Sequence, residues 1–322
     1  MRMTHHPNLD PELAAAIGEL VMPDAASLTP ADLPSLRAQA AAMVAASAVD
    51  DPLVTIEDLR VPGPEGAPDV RLRVYRPSGS ARSALPCLYW IHGGGMVIGR
   101  PEHDDAFVGR FVKEVGCAVV SVDYRLAPEH PDPAPIEDCY AGLLWTAKNA
   151  AELGIDSTRI AVGGASAGGG LAAGTVLLAR DRGGPDLAFQ LLVGPMLDDR
   201  DNTPSTVQFE TAVVWNRAAN VFGWTSLLGD RRGGDDVSPY AAPARANDLS
   251  GLPPSFIDVG ELEVFRDECL TYAQRLAQAG VSTEFHLYPG AFHGFDAMVP
   301  DVEMSRAAGA ARITALRRAF LR

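Results

Sequence analysis

Two patterns of apolar positions divide the chain. In LVTIEDLRV (53–61) and VRLRVYRP (70–77) apolar and polar side chains alternate, the period of a strand wetted on one face. PGPEGAP lies between them as a turn, so the two runs predict an antiparallel pair. Downstream the apolar runs are continuous: LPCLYWI (85–91), CAVVSVDY (117–124), RIAVGG (159–164), FQLLVG (189–194), SFIDVG (255–260) and finally TEFHLYP (283–289). Strands buried on both faces read this way. Helix-like segments at 104–115, 134–151, 167–182 and 266–279 separate most of them. The alternation predicts an α/β fold with a mostly parallel central sheet flanked by helices.

Two regions break the rhythm. Residues 9–47 read as helix, in DPELAAAIGELV and then TPADLPSLRAQAAAMVAASA, where Thr29-Pro30 is a helix start. Residues 198–242 contain no convincing strand and hold Trp215 and Trp224, two of the four tryptophans, which predicts an inserted helical element. Insert and N-terminal helices together are expected to cover one end of the sheet.

Composition narrows the function classes. Of the 322 residues 47% are hydrophobic, ample for a buried core. The formal net charge of −14 argues against nucleic acid or an anionic membrane as partner, since both repel an acidic surface. Small neutral substrates fit better. Cys87, Cys117, Cys139 and Cys269 are far apart with no CxxC pair, and are expected as buried free thiols. No run reaches the length of a membrane span, the N-terminal stretch lacks the apolar core of a signal peptide, and a cytoplasmic location is the expectation.

The candidate chemistry begins at VGGASAGGG (162–170), where small residues surround one hydroxyl. A buried-strand pattern precedes Ser166 and a helical one follows, so the serine falls at a strand-to-helix turn. Gly164-Ala165-Ser166-Ala167-Gly168 has the G-x-S-x-G spacing of a nucleophile elbow, in which small neighbours let a sharp turn present the hydroxyl. The competing reading is a helix N-cap serine after a glycine turn. Partners decide between them. His92-Gly93-Gly94-Gly95-Met96 follows the run LPCLYWI, and three glycines at a strand end free backbone N–H groups to face a developing oxyanion. His293, after the last strand, stands where a late histidine base is expected. In DVGELEVFRDE, Glu261 and Glu263 are the candidate acids, whereas Asp267 and Glu268 fall at a helix start, where acids serve the dipole.

With HGGGM, DYRLAPEHPDPAPIEDC, GGASAGGG and GAFHGF in this order, the chain from about residue 50 onward resembles the hormone-sensitive-lipase-like bacterial carboxylesterases of the α/β-hydrolase fold. The resemblance implies Ser166 as nucleophile, His293 as base, and the N–H groups of Gly94, Gly95 and Ala167 as oxyanion hole. The family acid opens an Asp-Pro-Leu-x-Asp pattern, which aligns with Glu263-Val264-Phe265-Arg266-Asp267 and gives the role to Glu263. Glutamate replaces the common aspartate there, and Ala165 stands where the family often has aspartate. His92 is expected to fix the glycine loop by hydrogen bonding, and Arg125 and Glu129 to pair with each other.

The resemblance also implies a small helical cap, built from residues 1–50 and 198–242, over a core of 51–197 and 243–322. Met96, Trp215 and Phe222 would narrow a substrate pocket. The expected reaction is hydrolysis of short-chain or aryl carboxylic esters through an acyl-enzyme, with no metal or organic cofactor; by resemblance, the protein would form a homodimer. An amidase or lactonase with the same triad is the alternative within hydrolases. A non-catalytic small-molecule-binding protein on this fold is the alternative outside them, although plant hormone receptors of that kind have typically lost the histidine that is present here.

Overall fold

The computed structural model describes residues 6–17, 28–47, 51–79, 84–211 and 214–321. Parts of the expected N-terminal helices (18–27) and of the insert (212–213) lie outside the described residues. The strands are β1 (Val54–Val61), β2 (Val70–Pro77), β3 (Leu85–Ile91), β4 (Ala118–Asp123), β5 (Ile155–Ala165), β6 (Phe189–Val193), β7 (Ser255–Gly260) and β8 (Thr283–Tyr288). They form one sheet in the order β1-β2-β4-β3-β5-β6-β7-β8. β1 and β2 pair antiparallel, as alternation predicts, and β2 pairs antiparallel with β4. All other neighbours are parallel, as expected of strands buried on both faces.

The helices are α1 (Pro11–Ile17), α2 (Leu33–Ser47), α3 (Asp105–Val115), α4 (Ala134–Lys148), α5 (Ala150–Leu153), α6 (Ala167–Arg182), α7 (Pro204–Gln208), α8 (Arg217–Leu228), α9 (Arg266–Gln278), α10 (Phe295–Met298) and α11 (Glu303–Phe320). The strand period of two assigns side chains to the two faces. Leu88 and Trp90 of β3 pack with Val108 and Phe111 of α3 and with Leu316 and Phe320 of α11. Tyr89 and Ile91 pack on the opposite face with residues of α4, α6 and α9 such as Leu143, Leu177 and Leu276.

Two expectations are corrected. The helix read over 134–151 is interrupted at Asn149, whose side-chain amide donates to the Trp145 carbonyl at 2.8 Å and so competes with the helical hydrogen bond. The long C-terminal helix α11 was not among the expected elements. It packs beside α3 on one face of the sheet, and its mixture of alanines and arginines hides the apolar stripe of Ile313, Leu316 and Phe320.

The four cysteines are buried free thiols. Among the described residues no helix is long and apolar enough to cross a membrane.

Candidate active site

Ser166 terminates β5 and precedes α6 with φ 57° and ψ −122°, a backbone conformation that side-chain-bearing residues rarely adopt. The turn is held from both sides: the Ser166 N–H donates to the Val193 carbonyl at 2.8 Å, and its carbonyl accepts the N–H of Met196 at 3.0 Å. The flanking glycines are small because backbone lies against them. A Cβ on Gly168 would meet the Ile91 carbonyl oxygen at 2.0 Å, and one on Gly164 the Gly168 oxygen at 2.2 Å. α6 therefore starts in contact with the end of β3, and the turn turns the hydroxyl outward.

Ser166 Oγ lies 2.9 Å from His293 Nε2, although the two residues are 127 positions apart. On the other side of the ring, His293 Nδ1 makes a short hydrogen bond to Glu263 Oε2. The remaining Glu263 oxygen accepts the Gly260 N–H at 2.8 Å, and the Phe265 ring meets the imidazole edge to face at 5.2 Å. Glu263 is buried, and its two hydrogen bonds fix both the carboxylate and the ring it faces. An acid bound to Nδ1 holds the tautomer in which Nε2 can take a proton from the serine.

The three other acids of this stretch bind elsewhere. Glu261 accepts the Gly290 N–H at 2.7 Å and so braces the turn ahead of His293. Asp267 accepts the Ser205 N–H at 2.7 Å, and buried Glu268 accepts those of Leu197 and Asp198. Burial pushes the Glu268 carboxyl well above the usual range.

The glycine loop follows β3. Gly94 and Gly95 have φ of 116° and 61°, and among the described residues no acceptor takes the N–H of either. Ala167 opens α6, so its N–H is one of the helix's unpaired donors. The ring of His92 stacks on Tyr124 at 4.3 Å, and its Nδ1 bonds the Gly93 carbonyl at 2.8 Å. Burial lowers its pKa to about 4, which leaves it neutral and structural.

The expected Arg125–Glu129 pair is replaced by two others. Arg125 binds Asp138 of α4 through Nε and the terminal nitrogen, both at 2.8 Å, while Glu129 binds Arg37 of α2. Asp138 is almost wholly buried and needs the cation, whereas Glu129 is half exposed and faces the N-terminal segment. Arg37 also donates to the carbonyls of Val97 and Ala127, which ties α2 to the glycine loop.

A cavity of about 290 Å³ opens beside Ser166 and His293. Met96, Trp215 and Phe222, expected in a pocket wall, do not border it. Met96 is fully buried, and Trp215 lies on the glycine loop, where a Cβ on Gly95 would sit 2.1 Å from its Cη2 atom. The wall instead comes from α3, α10 and α11, through Phe107, Phe295 and Arg312 among others. Buried Arg312 bonds Asp258 of β7 through Nε at 2.6 Å and Asp296 of α10 through another nitrogen. The sequence carries one overlooked signal of this network: the acid inside the buried run SFIDVG requires a buried cation.

Residues 88–297 match the family model described as the alpha/beta hydrolase fold. The carboxylesterase NlhH of Mycobacterium tuberculosis is 40% identical over 275 residues, 84% of each chain. An arylesterase of Saccharolobus solfataricus is 31% identical over 288 residues, 89% of this chain and 92% of its own. Among solved structures, a bacterial heroin esterase superposes with a TM-score of 0.92 at 47% identity, covering 98% of both chains. With this sheet order, a serine at the β5 elbow and relatives matched over most of its length, the chain belongs to the α/β-hydrolase family, among its hormone-sensitive-lipase-like carboxylic ester hydrolases.

Proposed function

We propose that the protein is a serine carboxylesterase that works through an acyl-enzyme. Ser166 Oγ attacks the ester carbonyl while His293 Nε2 takes its proton, and Glu263 holds the imidazole and stabilises its charged form. The N–H groups of Gly94, Gly95 and Ala167 receive the oxyanion, each worth about 3–4 kcal/mol in the transition state if serine hydrolases in general are the guide. The alcohol leaves with the proton from His293, and water then releases the acid by the same route. The observation that carries the reading is the continuous hydrogen-bonded chain from Ser166 through His293 to Glu263, with unengaged loop N–H groups beside it.

Short-chain and aryl esters are the proposed substrates, a reading supported by the names of two relatives, an arylesterase and an ethyl acetate hydrolase. α1, α2, α7 and α8 would act as a cap over the core: Asp10 bonds Gly290 next to the histidine turn, α2 is tied to the glycine loop, and the Leu227 carbonyl of α8 accepts the Asp132 N–H. A p-nitrophenyl ester series from short to long acyl chains, hydrolysed by the wild type and by Ser166→Ala, tests the proposal. Short-chain turnover that vanishes in the folded variant is expected. Equal turnover by both proteins, or a preference for long chains, would overturn it.

A further inference from the structure

The cavity beside Ser166 has a chemistry that simple ester hydrolysis leaves unused. It lies on the His293 side of the serine: His293, Gly194 and Gly260 border it, and none of Gly94, Gly95 and Ala167 does. When a serine attacks an ester, the carbonyl oxygen turns toward the oxyanion donors, and the leaving oxygen turns toward the imidazole that protonates it. A cavity bordered by the imidazole and not by the donors is thus the place of the alcohol portion. Its volume of about 290 Å³ has room for a substituted aromatic ring.

The wall carries more carboxylates than cations. Glu263 is engaged by His293, and Asp258 and Asp296 share the single guanidinium of Arg312. Arg110, the other arginine in the wall, pairs with Glu114 at 3.2 Å. Asp104 differs from the other acids. Its Oδ2 accepts the Trp90 indole N–H at 2.7 Å, and among the described residues no cation pairs with it. Its surroundings push its pKa up to about 6, chiefly through burial, which still leaves it ionised at neutral pH. Phe107 and Phe295 line the same space; the Arg312 guanidinium already lies over the Phe107 ring at 5.6 Å, and the face of Phe295 favours a cation as the carboxylate does.

We propose that this cavity is the leaving-group compartment and that Asp104 selects esters whose alcohol portion carries a protonated amine. This rests on the serine-esterase reading above. Asp104 supplies the charge and the rings supply the shape, so a small acyl group with a bulky, amine-bearing alcohol is the matching substrate class.

The test compares two acetates of the same shape, para-(dimethylaminomethyl)benzyl acetate and para-isobutylbenzyl acetate, with phenyl acetate as reference, at neutral pH. The wild type is expected to show kcat/KM for the amine about tenfold or more above its neutral isostere, the size of a charge-assisted hydrogen bond. Asp104→Asn, which keeps the acceptor for Trp90, is expected to bring that ratio close to one. Equal rates for both acetates in the wild type, or a preference that survives in folded Asp104→Asn, would overturn the proposal. Cleavage of phenyl acetate without cleavage of either benzyl ester would overturn the compartment alone and leave the esterase reading standing. Failure of all three esters would remove the esterase reading and the proposal with it. Should Asp104→Asn not fold, inhibition of the wild type by the two free alcohols gives the same ratio, and equal inhibition would overturn the assignment.

Discussion

Arg312 and Asp258 form an ion pair inside the protein, Nε to Oδ2 at 2.6 Å, with each side chain 1% exposed. The pair joins the two loops of the site. Asp258 stands at the end of β7, five residues before Glu263, and its backbone carbonyl accepts the Gly194 N–H. Asp296, the second partner of Arg312, is three residues beyond His293. One side chain of α11 thus fastens the acid-bearing and the base-bearing segments.

Arg312→Met leaves two carboxylates buried without a cation and is expected to cost about 3–5 kcal/mol of stability. Adding Asp258→Val and Asp296→Ala removes the stranded charges and should recover most of it. Urea unfolding of the wild type, the single variant and the triple variant checks this, and a single variant as stable as the wild type would contradict it.

Glu263 and Glu261 are two residues apart, and only Glu263 touches the imidazole. Glu263→Gln is expected to lower kcat by about 10²–10⁴-fold, because an amide can stabilise the wrong tautomer of His293. Glu261→Gln keeps an acceptor for the Gly290 N–H and should change kcat less than about tenfold. Steady-state rates on one p-nitrophenyl ester distinguish the two positions.

The backbone strain at Ser166 predicts a stability effect separate from activity. At φ 57° and ψ −122° a Cβ is costly, so Ser166→Gly should be more stable than Ser166→Ala by about 1 kcal/mol or more, although both are inactive. Thermal melting of the two variants measures the difference. Equal stability would mean that the turn relaxes when the hydroxyl is lost.

Asp104 makes stability depend on pH. Burial raises its folded-state pKa to about 6, above the ordinary carboxyl value, so the folded state binds this proton more tightly than the unfolded state. Its contribution is therefore fully favourable below about pH 4 and lost as pH rises through about 6. Asp104→Asn should accordingly stabilise the protein by about 1–2 kcal/mol at pH 7, a gain that fades as the pH is lowered to about 4. Melting curves at the two ends of that range check the sign.

Much of the site was legible because elbow, glycine loop and late histidine are local patterns. Gly164 and Gly168 flank Ser166 for a reason that neighbours in sequence express, the close approach of α6 to β3. The pocket wall was not legible. Phe107, Phe295 and Arg312 come from three separate helices, and no spacing in the chain relates them. Met96, Trp215 and Phe222, expected in the wall from the cap assignment, pack around the glycine loop and the core.

The sequence by itself determined the layers, since continuous apolar runs separated by helical segments have few arrangements other than a parallel sheet between helices. It also determined the serine at the turn, because only small residues permit that backbone. The tertiary structure decided which acid bonds His293 and what Arg125, Glu129 and Arg312 bind. Those outcomes depend on where charges find partners 13 to 92 residues away along the chain. The cost of leaving a charge unpaired is set by the folded surroundings and is not written in any local pattern.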